Sequence, residues 1–304
     1  MLVGLVLIGL ASISWGTTGA TMALLARDTG AGPVLVGWAR LAVGAPCLVL
    51  AVVANHWFRR RGRPVHAPHI LPAEITRDAA SFVVLGLSMA AYQACYFCAV
   101  ALTGVAIAAL IAICSAPLLI AALASVVLGE RPSRTVKLSL GLAVAGTALL
   151  TLGPRGLGDV SGGFGFGVVL AVGAGLAYAV YAVTAKRVLA RTAPLSVAAI
   201  TFTLAAIFFA PALWLVDGIH LPSLARSWPL VLYLSVGPTA VAYGLFGAGL
   251  RKVSATAAGI VSLLEPLTAA GLGVFAFGES LGALGLTGAA LLLVSLVLLV
   301  LARP

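Results

Sequence analysis

Apolar residues in this chain run unbroken for twenty or more positions, several times over, and this limits its fold more than any other feature. A membrane-spanning helix needs about 20 such residues. Strands of a membrane barrel would instead alternate apolar and polar residues. The 304 residues are 62% hydrophobic and 9% charged. A soluble fold cannot hide that much apolar side chain, because burial is limited by surface-to-volume scaling. Disorder is excluded by the same figures. The chain therefore reads as an all-α integral membrane protein. Its net charge of +10 does not indicate nucleic acid, because the charges sit in short loops between apolar runs, where membrane topology accounts for them.

Ten helices are expected, at 2–25, 33–54, 79–101, 104–128, 135–153, 165–189, 194–216, 229–250, 253–277 and 281–302. The first run lacks a basic lead and is longer than the apolar part of a signal peptide, so it reads as a retained span. With the N-terminus in the cytoplasm, fourteen Lys and Arg residues fall inside, from Arg59 to Arg303. Three, Arg27, Arg155 and Arg226, fall outside, and Arg40 lies within a span. This asymmetry puts both termini in the cytoplasm. Arginine outnumbers lysine 15 to 3, a bias of GC-rich bacterial genomes that points to an inner (plasma) membrane.

The chain also repeats itself. Residues 104–130 and 253–279 are identical at ten of 27 positions with a constant offset of 149. The matches include Pro117 with Pro266, Gly129 with Gly278 and Glu130 with Glu279. An Ala-Pro-X-Leu-X-Leu trace recurs at Ala45 and Ala210, and Trp15-Gly16 falls opposite Tyr178-Ala179. Two five-helix repeats follow, 1–153 and 165–304, joined by an external Gly-rich linker at 154–164. Five is odd, so the second copy enters the membrane inverted. Inverted repeats are a recurring design of secondary transporters, with the solute site near the midplane.

Trp15-Gly16, Pro117 with Gly129-Glu130-Arg131, Leu264-Glu265-Pro266 and Gly278-Glu279 together resemble the drug/metabolite transporter superfamily, EamA type. The resemblance covers nearly the whole chain and implies a ten-helix bundle carrying metabolites or amino acids, often as an exporter. Within the superfamily the chain is most similar to the YddG-like aromatic amino-acid exporters. The first helix holds no acid, so the coupling that the four-helix drug exporters of this superfamily obtain from a Glu there does not carry over.

Polar groups inside the spans mark the candidate site. Glu265 lies mid-helix, where a charge costs about 2.5 kcal/mol or more. It reads as a protonation or substrate-amine site, or as a neutral acid bonding a neighbouring helix. The equivalent residue in the first repeat is Ala116. Arg40 sits about 10 Å deep at 1.5 Å per residue. It could bind a carboxylate, snorkel outward or pair with a helix C-terminus. Tyr92 and Tyr96 share a face with Gln93 beside them, and Tyr178 and Tyr181 share another; Trp15 and Tyr243 also lie within helices. Lining one wet cavity would give these polar aromatics partners and suit an aromatic solute; packing or lipid contact is the other reading. Pro117 and Pro266 each remove a backbone donor, leaving the carbonyls of Ile113 and Ser262 unpaired, and read as paired kinks and hinges. Trp38, Trp57, Trp214 and Trp228 read as interface anchors. Ala108, Ala112 and Ala116, with Gly282, Gly285 and Gly288, read as close-packing surfaces.

The leading expectation is a secondary transporter exporting small metabolites, most of all aromatic or hydrophobic amino acids, by alternating access between the repeats. Its partners are then the solute, the lipid bilayer and, for coupling, protons; a monomer suffices. Drugs, nucleotide-sugars and phosphorylated solutes are alternative cargoes, although phosphates call for more buried cations than Arg40 alone. A channel-like facilitator also stays open. Enzyme chemistry, a metal site and a cofactor are not expected. His56, His66 and His69 fall in one loop, His220 lies outside, and no carboxylates accompany them. The Cys95-x-x-Cys98 pair has no second pair or His to complete a metal site.

Overall fold

The computed structural model describes residues 1–60, 78–152, 163–215, 221–278 and 281–302. The whole 61–77 loop and most of the 154–164 linker lie outside the described residues, as do His66, His69, His220 and Glu279. Ten helices cross the bundle, and no strand occurs among the described residues. They are α1 (Leu2–Gly16, resuming as Thr18–Thr29), α2 (Pro33–Arg60), α3 (Ala79–Thr103), α4 (Val105–Val127) and α5 (Arg134–Leu152). The second set is α6 (Phe164–Leu189), α7 (Pro194–Phe209), α8 (Trp228–Leu250), α9 (Ala255–Ser262, resuming as Leu264–Phe277) and α10 (Gly282–Leu301). Among the described residues, nine are long and apolar enough to span a bilayer by themselves. The tenth, α5, opens with Arg134 and Lys137 and packs along α10. Gly146 and Gly288 let these two backbones approach; a methyl group at Gly146 would lie 2.8 Å from the Gly288 carbonyl.

Large apolar side chains point outward as well as inward. Phe275 is 91% and Val126 84% exposed, as expected where lipid covers the surface. Helix pairing repeats across the molecule. The α3–α6 contact is matched by α8–α1, α4–α6 by α9–α1, and α3–α7 by α8–α2. The pairs α2–α7, α4–α9 and α5–α10 map onto themselves. Each helix thus exchanges with the one five places on, as a pseudo-twofold between two repeats requires. With ten spans, both termini, the α4–α5 loop and the α8–α9 loop share one face, called the terminal face below.

Several helices differ from the sequence expectation. The first is longer than 2–25 and breaks at Thr17. α2 continues to Arg60, so His56 sits on a helix rather than in a loop, with its Nε2 buried and without a hydrogen-bond partner. α7 tightens into a 3₁₀ turn over Ala210–Leu215, around Pro211. α8 widens into a π-helical segment at Val236–Val241, containing Pro238. Trp38 is not an interface anchor; it packs between the main core and a second cluster around Leu25, Leu35 and Leu234.

Candidate functional site

The site forms where three irregular helices meet. α9 stops at Ser262 and resumes at Leu264, with Leu263 at φ −72° and ψ 0° between. Pro266 supplies the reason: it has no N–H for the Ser262 carbonyl four residues earlier. Glu265 consequently lies in the first turn of a new helix, not mid-helix, and the positive end of that helix dipole favours a carboxylate there. α4 runs without a break through Pro117, which packs against Gly259 of α9. The two matched prolines therefore have different surroundings.

α1 breaks beside Glu265. A Cβ at Gly16 would lie 2.7 Å from the Glu265 carbonyl oxygen, so only glycine permits this approach. One residue earlier, the Trp15 indole Nε1–H donates to the Pro238 carbonyl at 2.9 Å, inside the π segment of α8. That segment frees carbonyls that an α-helix would consume. Trp15 thereby ties one interrupted helix to another.

The intramembrane aromatics expected from the sequence form one connected cluster. The Trp15 ring meets Tyr178 at 6.5 Å, edge-on, and Tyr243 at 4.8 Å. Tyr178 meets Tyr92 and Tyr181, each at 5.9 Å, and Tyr92 stacks on Tyr96 at 6.0 Å. Trp15 and Tyr178 are equivalent residues of the two repeats, so their contact lies close to the pseudo-twofold. Phe246 and Phe202 belong to the cluster too, 5.4 Å from Trp15 and 4.4 Å from Tyr243. Sequence reading missed both. The signal available was the three-residue spacing from Tyr243 to Phe246, which puts them on one face.

Two charges face this cluster. Glu265 lies within electrostatic reach of Tyr92, Tyr96, Tyr178 and Tyr243, and of Arg40 on α2. Arg40 in turn acts on Tyr92 and Tyr243. Among the described residues Glu265 and Arg40 form no salt bridge, Glu265 accepts no hydrogen bond, and the buried Arg40 Nε has no acceptor. The Tyr178 hydroxyl is buried, with the Ser262 side chain as its polar neighbour. Tyr92, Tyr96, Tyr178, Arg40 and Glu265 are half-buried, whereas Trp15, Tyr181 and Tyr243 are buried behind them. Tyr92, Tyr96, Tyr178 and Glu265 are closely surrounded by protein, and we read their remaining accessible surface as a crevice inside the bundle. Gln93 does not join them: it is buried in the helix packing, and its Nε2 has no partner. Chemically the crevice offers an aromatic wall, one acid and one guanidinium whose buried Nε has no acceptor.

The sequence profile of the EamA-like transporter family matches residues 2–152 and again 165–301. The chain is 35% identical over 292 residues to the uncharacterized transporter YwfM of Bacillus subtilis, covering 95% of this chain and 91% of that protein. It is 32% identical over 200 residues to an uncharacterized transporter of Archaeoglobus fulgidus, covering 66% and 68%. One solved crystal structure superposes with a TM-score of 0.77 over 98% of both chains at 23% identity, which shows a common fold. With the profile matched once per repeat and over nearly the full length, this multi-pass membrane protein is a transporter, not an enzyme, and belongs to the EamA-like transporter family.

Proposed function

We propose that the protein exports small metabolites, above all amino acids with aromatic or hydrophobic side chains, as a monomeric secondary transporter of the bacterial inner membrane. The repeats, 1–153 and 165–304, rock about the central crevice and expose it to each side in turn. The observation that carries this reading is the unpaired facing of Arg40 and Glu265 across an aromatic wall. An α-amino acid has the complementary charges. Its carboxylate fits the free guanidinium of Arg40, its ammonium fits Glu265, and its side chain lies against Tyr92, Tyr96 and Tyr178. Each charge of the solute would meet an opposite one, which lowers the cost of carrying a zwitterion through lipid depth. Pro266 and Pro117 serve as hinges in the same cycle, and proton transfer at Glu265 links the solute to the proton gradient.

The test is counterflow in proteoliposomes with radiolabelled phenylalanine, tryptophan and leucine, with and without a pH gradient. Saturable uptake, stimulated by unlabelled solute on the far side, is expected. Uptake linear in concentration would mean a channel, and no uptake of any amino acid would remove this substrate class. Both termini and the Arg59–Arg77 loop are assigned to the cytoplasm on the fourteen-to-three charge split. Single cysteines in a background lacking Cys47, Cys95, Cys98 and Cys114 check this. Labelling of that loop by an impermeant reagent in intact cells would reverse the orientation.

A further inference from the structure

Glu130 has a role that the repeat pattern alone does not reveal. α4 ends at Val127, and Gly129 takes a left-handed φ of +68°, a conformation open to glycine at little cost. This turn brings the Glu130 N–H back to the Ala124 carbonyl at 3.1 Å and sends its side chain into the other repeat. There the carboxylate caps the start of α9. Oε1 accepts from the Ala255 N–H at 2.6 Å; Oε2 accepts from the Thr256 N–H at 3.1 Å and the Thr256 hydroxyl at 2.8 Å. Ser254 Oγ accepts from the Ala257 N–H at 3.1 Å. The free donors of a helix start are thus met by one residue of the second repeat and one of the first.

Two cations complete the assembly. Lys186, at the end of α6, lies in the field of Glu130 and donates to the Leu250 and Val253 carbonyls, both at 2.6 Å. Arg187 donates to the Val127 carbonyl at the end of α4, at 2.5 Å. An acid thus sits at a helix start and cations at helix ends, the favourable arrangement for each dipole. All four helix ends belong to the terminal face.

The segment held by Glu130 lies between Glu265 and this face. Every residue of Ala255–Val261 is buried, whereas the second half of α9, which carries Glu265, is mostly half-buried or exposed. Displacing that first half would open the bundle between Glu265 and the terminal face. The break at Leu263 lets it move without carrying Glu265 along. We propose that Glu130 is the latch of the gate on the terminal face: its carboxylate pins the first half of α9 to the first repeat, and the gate opens when that half, hinged at Leu263, leaves Glu130. The proposal rests on the alternating-access reading but not on the identity of the solute.

The test uses the full chain in proteoliposomes without solute. Spin labels at Ser133 and Arg251, both exposed on the terminal face, report its opening by pulsed dipolar spectroscopy in the cysteine-free background. Loss of one charge-assisted hydrogen bond changes an equilibrium by about ten- to a hundredfold. Glu130→Gln should raise the open-to-closed ratio on that scale, Glu130→Asp should restore part of the closed population, and Thr256→Val should give a smaller shift in the same direction. A folded Glu130→Gln protein with the wild-type distance distribution would overturn the latch. Should that variant not fold, an unchanged distribution in Thr256→Val would do the same. Distances that shift in protein that moves no amino acid would leave the latch standing and sink only the substrate reading.

Discussion

The helices α1, α8 and α9 and their pseudo-symmetric counterparts α6, α3 and α4 make the same contacts, yet only the first set is irregular. α1 breaks at Thr17, α8 widens over Val236–Val241 and α9 breaks at Leu263. α6, α3 and α4 are continuous. Position 265 carries a glutamate where the first repeat has Ala116. The close approaches differ in the same sense. Gly175 of α6 sits against the Ala112 carbonyl and Ser115 of a regular α4, whereas Gly16 sits against the Glu265 carbonyl at a helix start. One half of the bundle is a regular wall. The other gathers helix ends, freed carbonyls and a charge at one depth, as discontinuous helices do around transported solutes. Symmetry sets the frame, and departure from it sets the chemistry.

The largest effect should come from moving the acid between the halves. The double variant Glu265→Ala with Ala116→Glu keeps the composition but puts the carboxylate on the continuous helix, away from any helix start. Transport should fall to background, measured by counterflow; retained transport would mean that the irregular half has no special role. Glu265→Gln tests the acid alone. It should fold, because the amide keeps the shape and hydrogen bonding of a neutral acid, and it should lose the pH dependence of transport. Wild-type pH dependence in that variant would assign Glu265 to structure.

Next comes Arg40. Arg40→Gln should raise KM about ten- to a hundredfold, the worth of a charged hydrogen bond, with little change in folded yield, since Arg40 forms no salt bridge in the described structure. An unchanged KM would show that the guanidinium does not meet the solute.

Trp15 and Tyr178 are repeat equivalents with unequal duties. Trp15→Phe removes the bond that ties α1 to α8 and should cost about 1–3 kcal/mol by leaving the Pro238 carbonyl unpaired. Tyr178→Phe removes a hydroxyl whose polar neighbour is only the Ser262 side chain of a helix end and should cost less thermal stability than Trp15→Phe. Equal losses would contradict the asymmetry. The smallest contrast is between the prolines. Pro266→Ala should heal the break and slow transport more than Pro117→Ala, which acts in a continuous helix. Rates of counterflow relative to folded yield decide it, and equal slowing would mean that the break at Leu263 gives Pro266 no greater part than Pro117.

The long apolar runs determined membrane residence and the helical class, because lipid admits no other spanning structure for such segments. Pro117 with Pro266, in register with Gly129-Glu130 and Gly278-Glu279, determined the repeat. Lone polar groups at Glu265, Arg40 and the tyrosines stood out because each is costly in lipid without a partner. What the sequence by itself left open is which face of each helix looks inward. In water an apolar stripe marks the core side, but lipid is as apolar as leucine, so both faces of these helices read alike. Only the tertiary structure placed Trp15, Tyr92, Tyr178 and Tyr243 in one cluster, set Arg40 within reach of Glu265 without pairing them, packed Trp38 between two core clusters, buried Gln93, and carried Glu130 across to the other repeat. Those outcomes depend on helix rotation and on where each helix breaks, and both are fixed by contacts between segments far apart in the chain.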